Sequence, residues 1–381
     1  MNFHALILSA GYSRRMGQFK PMLSLQGQTV LARCVQSFRQ AGMNEITVVV
    51  GHRQKETVET CALLGVRWTY NPIYSQGMYS SVQVGVSALP AETDAFFLLP
   101  VDIALIRPWT IQQTAECYQK HCPLLVYPTF QGQRGHPPLI SFHLKEAIAA
   151  HDGQGGLRHL LQNHDQEALE VSTFDRNILL DMDHPEDFAQ AESRARSLSR
   201  LNRDEAWALV QRVHPISTAG LAHGHAVAIT AKSLAQALNR AGCNVDVELA
   251  YVCGLVHDMA KGRPKHEEAG GELLDSMGLT EMAPVVAAHR DLTLPDDQEI
   301  TAREVVYLAD KLTRGPQRVK VHDRFQEKLD LFHEDPEAVA AITRRLGNAM
   351  DLQRRMEKIL GSSVESVVPK SIQVDNLDQG Q

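Results

Sequence analysis

The chain has 381 residues, 44% hydrophobic and 22% charged, with a formal net charge of −7. That length favours two domains over a single core, and the acidic balance excludes a general nucleic-acid binder, which needs a basic face. The cysteines (Cys34, Cys61, Cys117, Cys122, Cys243, Cys253) stand apart with no C-x-x-C pair, a pattern that suits reduced thiols in a cytosol. No charged leader precedes the first strand-like segment, and no apolar run approaches the ~20 residues of a membrane helix. A cytoplasmic protein with neither a membrane nor a nucleic-acid partner is expected.

Four short apolar runs are predicted strands: "HALILS" (4–9), "ITVVV" (46–50), "FFLLPV" (96–101) and "LLVYP" (124–128). Between the first two, "TVLARCVQSFRQAG" places Leu31, Val35 and Phe38 at helical spacing, with Gly42 as a stop. Such alternation predicts an α/β domain over residues 1–192, Rossmann-like with a mostly parallel sheet and its ligand at the carboxyl ends of the strands. Residues 193–204 are polar and predict a linker helix. Residues 205–360 show helical patterns and no strand, predicting an all-α domain, and 361–381 predict a mobile tail.

The first strand runs into "SAGYSRRMGQFK". A Walker A loop fails here, because Gly17 is followed by Gln18 rather than Lys, and G-x-G-x-x-G is absent. What stands is L-x-A-G-x-S-x-R-M-G-x-x-K, from Leu8 to Lys20. Small Ala10 and Gly11 let backbone N–H groups approach phosphate oxygens, and Arg15 and Lys20 can neutralise a departing pyrophosphate. Arg14 reads as a solvated surface cation.

This stretch resembles the signature of the nucleotidyltransferases that make molybdenum cofactor dinucleotides, within the glycosyltransferase-A-like superfamily. The likeness continues in order through "NPIYSQGMYSSVQVG" (71–85), "LLPVDIALI" ending a strand at Asp102, "GQRGHPPLI" (132–140) and "LLDMDHPEDF" (179–188). The resemblance implies a nucleotide site formed by Leu8, Ala10, Gly11, Ser13, Arg15, Lys20, Asn71, Gly77, Ser80 and Ser81. It also implies transfer of a nucleotide onto a molybdopterin-type cofactor, with a molybdenum enzyme as the possible recipient. Ala10, where relatives using GTP carry Gly, points to CTP. Mg²⁺ prefers carboxylate and phosphate oxygens, so Asp102 with Asp181 or Asp183 is the expected clamp; a helix N-cap is the alternative use of Asp102. His136 is left between a loop hydrogen bond and a role in the site.

In the second half, "AYVCGLVHDMAKG" (250–262) ends a buried helical face on His257 and Asp258. An unpaired buried carboxylate is costly, and a metal removes the difficulty. The order His223, His257-Asp258, Asp310 resembles the HD superfamily of metal-dependent phosphohydrolases over about residues 205–330. His266 in "KHEEAGGELL" and His289 in "VAAHRD" resemble the extra histidines that hold a second metal in binuclear members. The resemblance thus implies one or two divalent transition metals, Fe, Mn or Zn. Lys261 is a candidate for holding a substrate phosphate, or a helix C-terminal cation favoured by the dipole.

The expected protein is a bifunctional enzyme: an Mg²⁺-dependent cytidylyltransferase fused to an HD phosphohydrolase, with catalytic roles for Arg15, Lys20, Asp102 and Lys261. Another phosphorylated acceptor, GTP in place of CTP, or an HD half that only senses nucleotides are the alternatives.

Overall fold

A computed structural model of the chain describes residues 1–292 and 299–370. Two compact units divide it, Met1–Leu198 and Ser199–Gln381.

The first unit is built on one mixed sheet. Its strands are β1 (Phe3–Ser9), β2 (Ile46–Val50), β3 (Arg67–Tyr70), β4 (Ala95–Pro100), β5 (Leu125–Phe130), β6 (Gln133–Arg134), β7 (Leu139–Ser141) and β8 (Ala168–Ser172). They run in the order β8-β5-β7-β4-β1-β2-β3, with β6 paired to β5. β1 lies parallel to β2 and β4, whereas β7 is antiparallel to β4 and β5. The central strands are nearly continuous apolar runs because helices cover both faces. In α1 (Val30–Gln40), Thr29 caps the first turn by accepting from the Ala32 amide at 3.1 Å, and Leu31, Val35 and Phe38 are buried. Strands β3, β6, β7 and β8 lack the strong apolar signature of the other four and escaped sequence reasoning; edge strand β3 is largely exposed.

The second unit is helical. Its core pairs α2 (Thr218–Arg240) with α3 (Val247–Val256) and adds α4 (His266–Ser276), α5 (Ala302–Lys311), α6 (Val321–Leu331) and α7 (Pro336–Leu360). Two glycines set the α2–α3 crossing. A Cβ on Gly224 would collide with the Leu255 carbonyl, and one on Gly254 would lie 2.9 Å from the Ala228 Cα. Backbones therefore meet without intervening side chains.

Three expectations need correction. A small hairpin, Thr313–Arg314 with Gln317–Arg318, follows α5 in the half expected to hold no strand; Gly315, at φ +54°, makes its turn. Residues 193–204 are not one linker helix: the helix Pro185–Ala195 stops, a turn follows, and Arg203–Ala208 begins anew with Asn202 and Glu205 as a capping box. Residues 361–370 of the expected mobile tail are folded, since Val364 and Val368 are buried and Arg318 donates to the carbonyls of Glu365 and Val368. Residues 371–381 of that tail lie outside the described residues.

Candidate functional site

In the first unit a pocket of about 380 Å³ opens at the carboxyl ends of β1 and β4. The loop after β1 forms one wall with Ala10, Gly11 and Ser13, while Leu8 and Lys20 line it from below. No atom lies within 4 Å of where a Gly11 Cβ would stand, so glycine leaves the cavity open there. Ser13 sits at φ +57° and its hydroxyl accepts from the Lys20 amide at 3.1 Å, turning the chain back under the pocket. Ala10 is buried, and Gly51 leaves room for it: a Cβ at Gly51 would lie 2.8 Å from the Ala10 Cβ.

Lys20 is the electrostatic centre. Its Nζ donates to Asp102 Oδ2 at 3.1 Å and to Asp183 Oδ1 at 2.7 Å. Partial burial would lower its pKa, but the two carboxylates outweigh that and raise it. The same hydrogen bond from Lys20 holds the Asp183 carboxyl below its ordinary range, and Arg15, mostly exposed, pairs with Asp183 from outside. The Met182 amide donates to the Asp102 carbonyl at 3.1 Å, and a Cβ on Gly135 would meet Ile178 at 2.6 Å. The 178–183 segment is thus stitched between the G-H-P element and the end of β4.

Some expected nucleotide contacts are placed otherwise. Asn71 is fully buried; its side-chain amide donates to Ser80 and Ser81 at 2.9 Å each, and its Oδ1 accepts from the Ile73 amide. Its polar atoms brace the loop. Ser80 is likewise turned to the carbonyls of Ile73 and Gly77. Gly77 and Ser81 do line the pocket. Asp181 is exposed, and it is Asp183 that shares the Lys20 ammonium with Asp102. Tyr12 and Tyr74, at positions any residue can fill in the motif, meet at a tilt of 54° with centroids 5.2 Å apart at the pocket edge, and exposed Arg14 lies 4.5 Å over Tyr12.

A second chamber of about 790 Å³ shares Leu8, Met78 and Pro100 with the first. Tyr79, Tyr127, Leu157 and Leu161 give it an apolar wall, and Arg158 and His136 supply polar groups. Burial lowers the pKa of His136 against the pull of Asp102 and Asp181.

In the second unit the expected metal ligands converge. His223, His257 and Asp258 present donor atoms within 4.8 Å of one another, and so do Asp258, His266 and His289. Asp258 belongs to both groups, and Asp310 Oδ1 lies 3.2 Å from His223 Nε2 and 3.7 Å from His257 Nε2. The close crossing at Gly224 and Gly254 makes this possible, setting the His223 and His257 rings 5.2 Å apart. The His-Asp pair does not continue the helix. It lies in the turn after α3, where His257 Nδ1 donates back to the Gly254 carbonyl at 2.8 Å. His289 closes its own helix end in the same way, through Nδ1 to the Val286 carbonyl at 2.6 Å.

Those bonds fix tautomers. With Nδ1 protonated, the Nε2 atoms of His257 and His289 carry lone pairs, and His257 Nε2 is buried without a hydrogen-bond partner. Burial lowers the pKa of His257 and His266, favouring neutral, ligand-ready imidazoles. Burial would raise Asp258, but its neighbours His289, His257 and Lys261 hold it far below the carboxylate range. For Asp310, Lys311 and Arg324 outweigh burial in the same direction. Lone pairs facing ionised carboxylates at 3.3–3.8 Å suit a cation between them. Lys261 is exposed and pairs with Asp258 Oδ2 at 2.5 Å. Sequence reasoning missed the contacts of Lys311 and Arg324 with Asp310.

Both halves match known families. Residues 5–169 match the MobA-like NTP transferase domain and residues 214–315 the HD domain. The chain belongs to the MobA-like nucleotidyltransferases and is an enzyme of the transferase type, fused to an HD domain. It is 30% identical over 190 residues to the molybdenum cofactor cytidylyltransferase of Escherichia coli, an alignment covering 50% of this chain and 95% of that one. A bifunctional IPC transferase and DIPP synthase from Rubrobacter xylanophilus is 34% identical over 119 residues, 30% of this chain and 26% of that protein. A nucleotidyl transferase structure from Methanothermobacter thermautotroptrophicus aligns at a TM-score of 0.45 and 22% identity, covering 51% of this chain and 97% of that one. Both domain families use divalent metals, and among the described residues no helix is long and apolar enough to cross a membrane.

Proposed function

We propose that the first unit transfers CMP from CTP to a molybdopterin-type cofactor and releases pyrophosphate. The observation that carries this is Lys20 held between Asp102 and Asp183 on the floor of a pocket that opens into a second, partly apolar chamber. The first pocket takes the nucleotide, with Gly11 and Ser13 against its phosphates and Ala10 beside the base. Asp102 and Asp183 would hold Mg²⁺. When bound, that ion supplies charge neutralisation on the phosphates. Lys20 and Arg15 then pair with the departing pyrophosphate, and the apolar wall of the second chamber orients the acceptor so that its phosphate faces the α-phosphorus.

The HD half is read as a hydrolase of a phosphate ester or nucleotide. His223, His257, Asp258 and Asp310 would hold one transition metal, and Asp258, His266 and His289 a second, of iron, manganese or zinc. Such ions supply Lewis acidity toward a phosphoryl oxygen. Lys261 pairs with Asp258 and would meet a substrate phosphate. Six cysteines without a disulfide support a cytoplasmic setting, with a molybdenum enzyme as recipient of the product.

Incubating the protein with molybdopterin-type cofactor, Mg²⁺ and labelled CTP or GTP, then identifying the product, tests the first reading. A cytosine dinucleotide is expected; transfer only to a sugar phosphate or phosphocholine would replace it. Phosphate release from a nucleotide panel tests the second, and bound metal with no turnover on any member would make the HD half a sensor.

A further inference from the structure

The pocket of the first unit carries aromatic surface that phosphate binding does not use. Tyr12 and Tyr74 both line it, Tyr12 37% exposed and Tyr74 half-buried. Among the described residues they are the only aromatic side chains in its wall.

The pair is held from several sides. The His52 ring lies 5.0 Å from Tyr12, 6.4 Å from Tyr74 and 5.9 Å from buried Phe19, and the His52 amide donates to the Ala10 carbonyl at 3.1 Å. Tyr74 comes from the loop that Asn71 ties down: Asn71 Oδ1 accepts from the Ile73 amide at 3.0 Å, and the Gly77 amide donates to the Tyr74 carbonyl at 3.3 Å. Rings ordered before a ligand arrives cost little further entropy when it binds.

Their place in the pocket points to one part of a nucleotide. A Cβ at Gly51 would lie 2.8 Å from the Ala10 Cβ and 2.9 Å from the Tyr74 Cβ, so Ala10 and Tyr74 flank the same spot. Ala10 is the residue read as bordering the base, while Lys20 with Asp102 and Asp183 occupies the phosphate end.

We propose that Tyr12 and Tyr74 form a stacking platform for the nucleotide base. This rests on the reading of the pocket as the nucleotide site. Every base has a π-face, so the platform adds affinity without choosing among bases. The choice falls to Ala10, by size. Two amphipathic rings offer the base contact area, with their hydroxyls left to water or to the ribose.

The test is calorimetry on the full chain, stripped of transition metal with a chelator and then given Mg²⁺ so that the HD half contributes little turnover. CTP, GTP and inorganic tripolyphosphate, which has no base, are titrated into the unmodified protein and into Tyr12→Ala, Tyr74→Ala and Tyr12→Phe. CTP binding should weaken about 10-fold or more in each alanine variant, the scale of losing one aromatic ring from under a base. GTP should lose a similar factor, tripolyphosphate should bind as before, and Tyr12→Phe should keep most of the CTP affinity. Unchanged CTP affinity in both alanine variants would overturn the platform, and so would an equal loss for tripolyphosphate, which would mean a collapsed loop. An acceptor KM that rises while CTP affinity holds would also overturn it, moving the rings to the acceptor. Transfer assays in parallel separate the two readings. Ring-dependent CTP binding without transfer to any acceptor keeps the platform and removes the transferase reading, whereas transfer with an unaltered KM for CTP in the alanine variants does the opposite.

Discussion

The Met182 amide donates to the Asp102 carbonyl at 3.1 Å. That single bond ties a segment some 80 residues later to the end of β4 and sets Asp183 opposite Asp102 across the Lys20 ammonium. The two carboxylates and the lysine act as one device, organised by backbone pairing rather than by sequence proximity.

The base preference should respond to Ala10. Its methyl borders the pocket and would crowd a purine more than a pyrimidine, a difference of ~1–3 kcal/mol at most. CTP should therefore be used in preference to GTP, and Ala10→Gly should narrow the ratio of the two kcat/KM values. Equal use of both nucleotides by the unmodified protein would reject this role for Ala10.

Packing at the α2–α3 crossing should be intolerant. Gly254→Ala forces a methyl to within 2.9 Å of the Ala228 Cα, and overpacking of that kind costs about 1–3 kcal/mol. A lowered thermal midpoint is expected, together with weaker metal retention, because the same contact sets the His223–His257 spacing. Metal content equal to the unmodified protein at lower stability would uncouple the crossing from the site.

The HD half should hold two metal ions. Elemental analysis of full-length protein dialysed free of Mg²⁺ should find about two equivalents of transition metal, falling to about one when His266 and His289 are both replaced by Ala. One equivalent before and after replacement would reject the second site.

Much of this arrangement is legible in the sequence. The four apolar runs, the Leu8–Lys20 loop and the order His223, His257-Asp258, Asp310 are local signals, and the structure carries each as a strand end, a pocket wall or a donor cluster. The rest depends on long-range packing. Nothing near Asn71 in the sequence reveals that Ser80 and Ser81 will consume its amide, and nothing near Gly51 reveals that it makes room for Ala10. Gly224 and Gly254 look like ordinary helical glycines until two helices cross at them. Lys311 and Arg324 become partners of Asp310 only when α5 and α6 come together.

Acid should weaken the first unit through His4. That imidazole is buried against Thr47, and burial lowers its pKa to about 4 from an unfolded value near 6.5. The unfolded chain then binds the proton more readily, so stability is full above pH 6.5 and is lost as pH falls toward 4. Between pH 6.5 and pH 5 the loss is about 2 kcal/mol, from 1.5 units at 1.36 kcal/mol each. Urea midpoints at pH 7 and pH 5 should differ less in His4→Asn than in the unmodified protein; an undiminished difference would assign the acid sensitivity elsewhere.

The central claim is that Lys20, Asp102 and Asp183 form the site of nucleotide transfer. The most direct measurement is the rate of labelled CMP transfer to a molybdopterin-type acceptor by the unmodified protein and by Asp102→Ala, with metal content of the HD half followed in both. Transfer should fall by about 10²–10³-fold or more in the variant, with HD metal content unchanged. Transfer by Asp102→Ala at the rate of the unmodified protein would contradict the account.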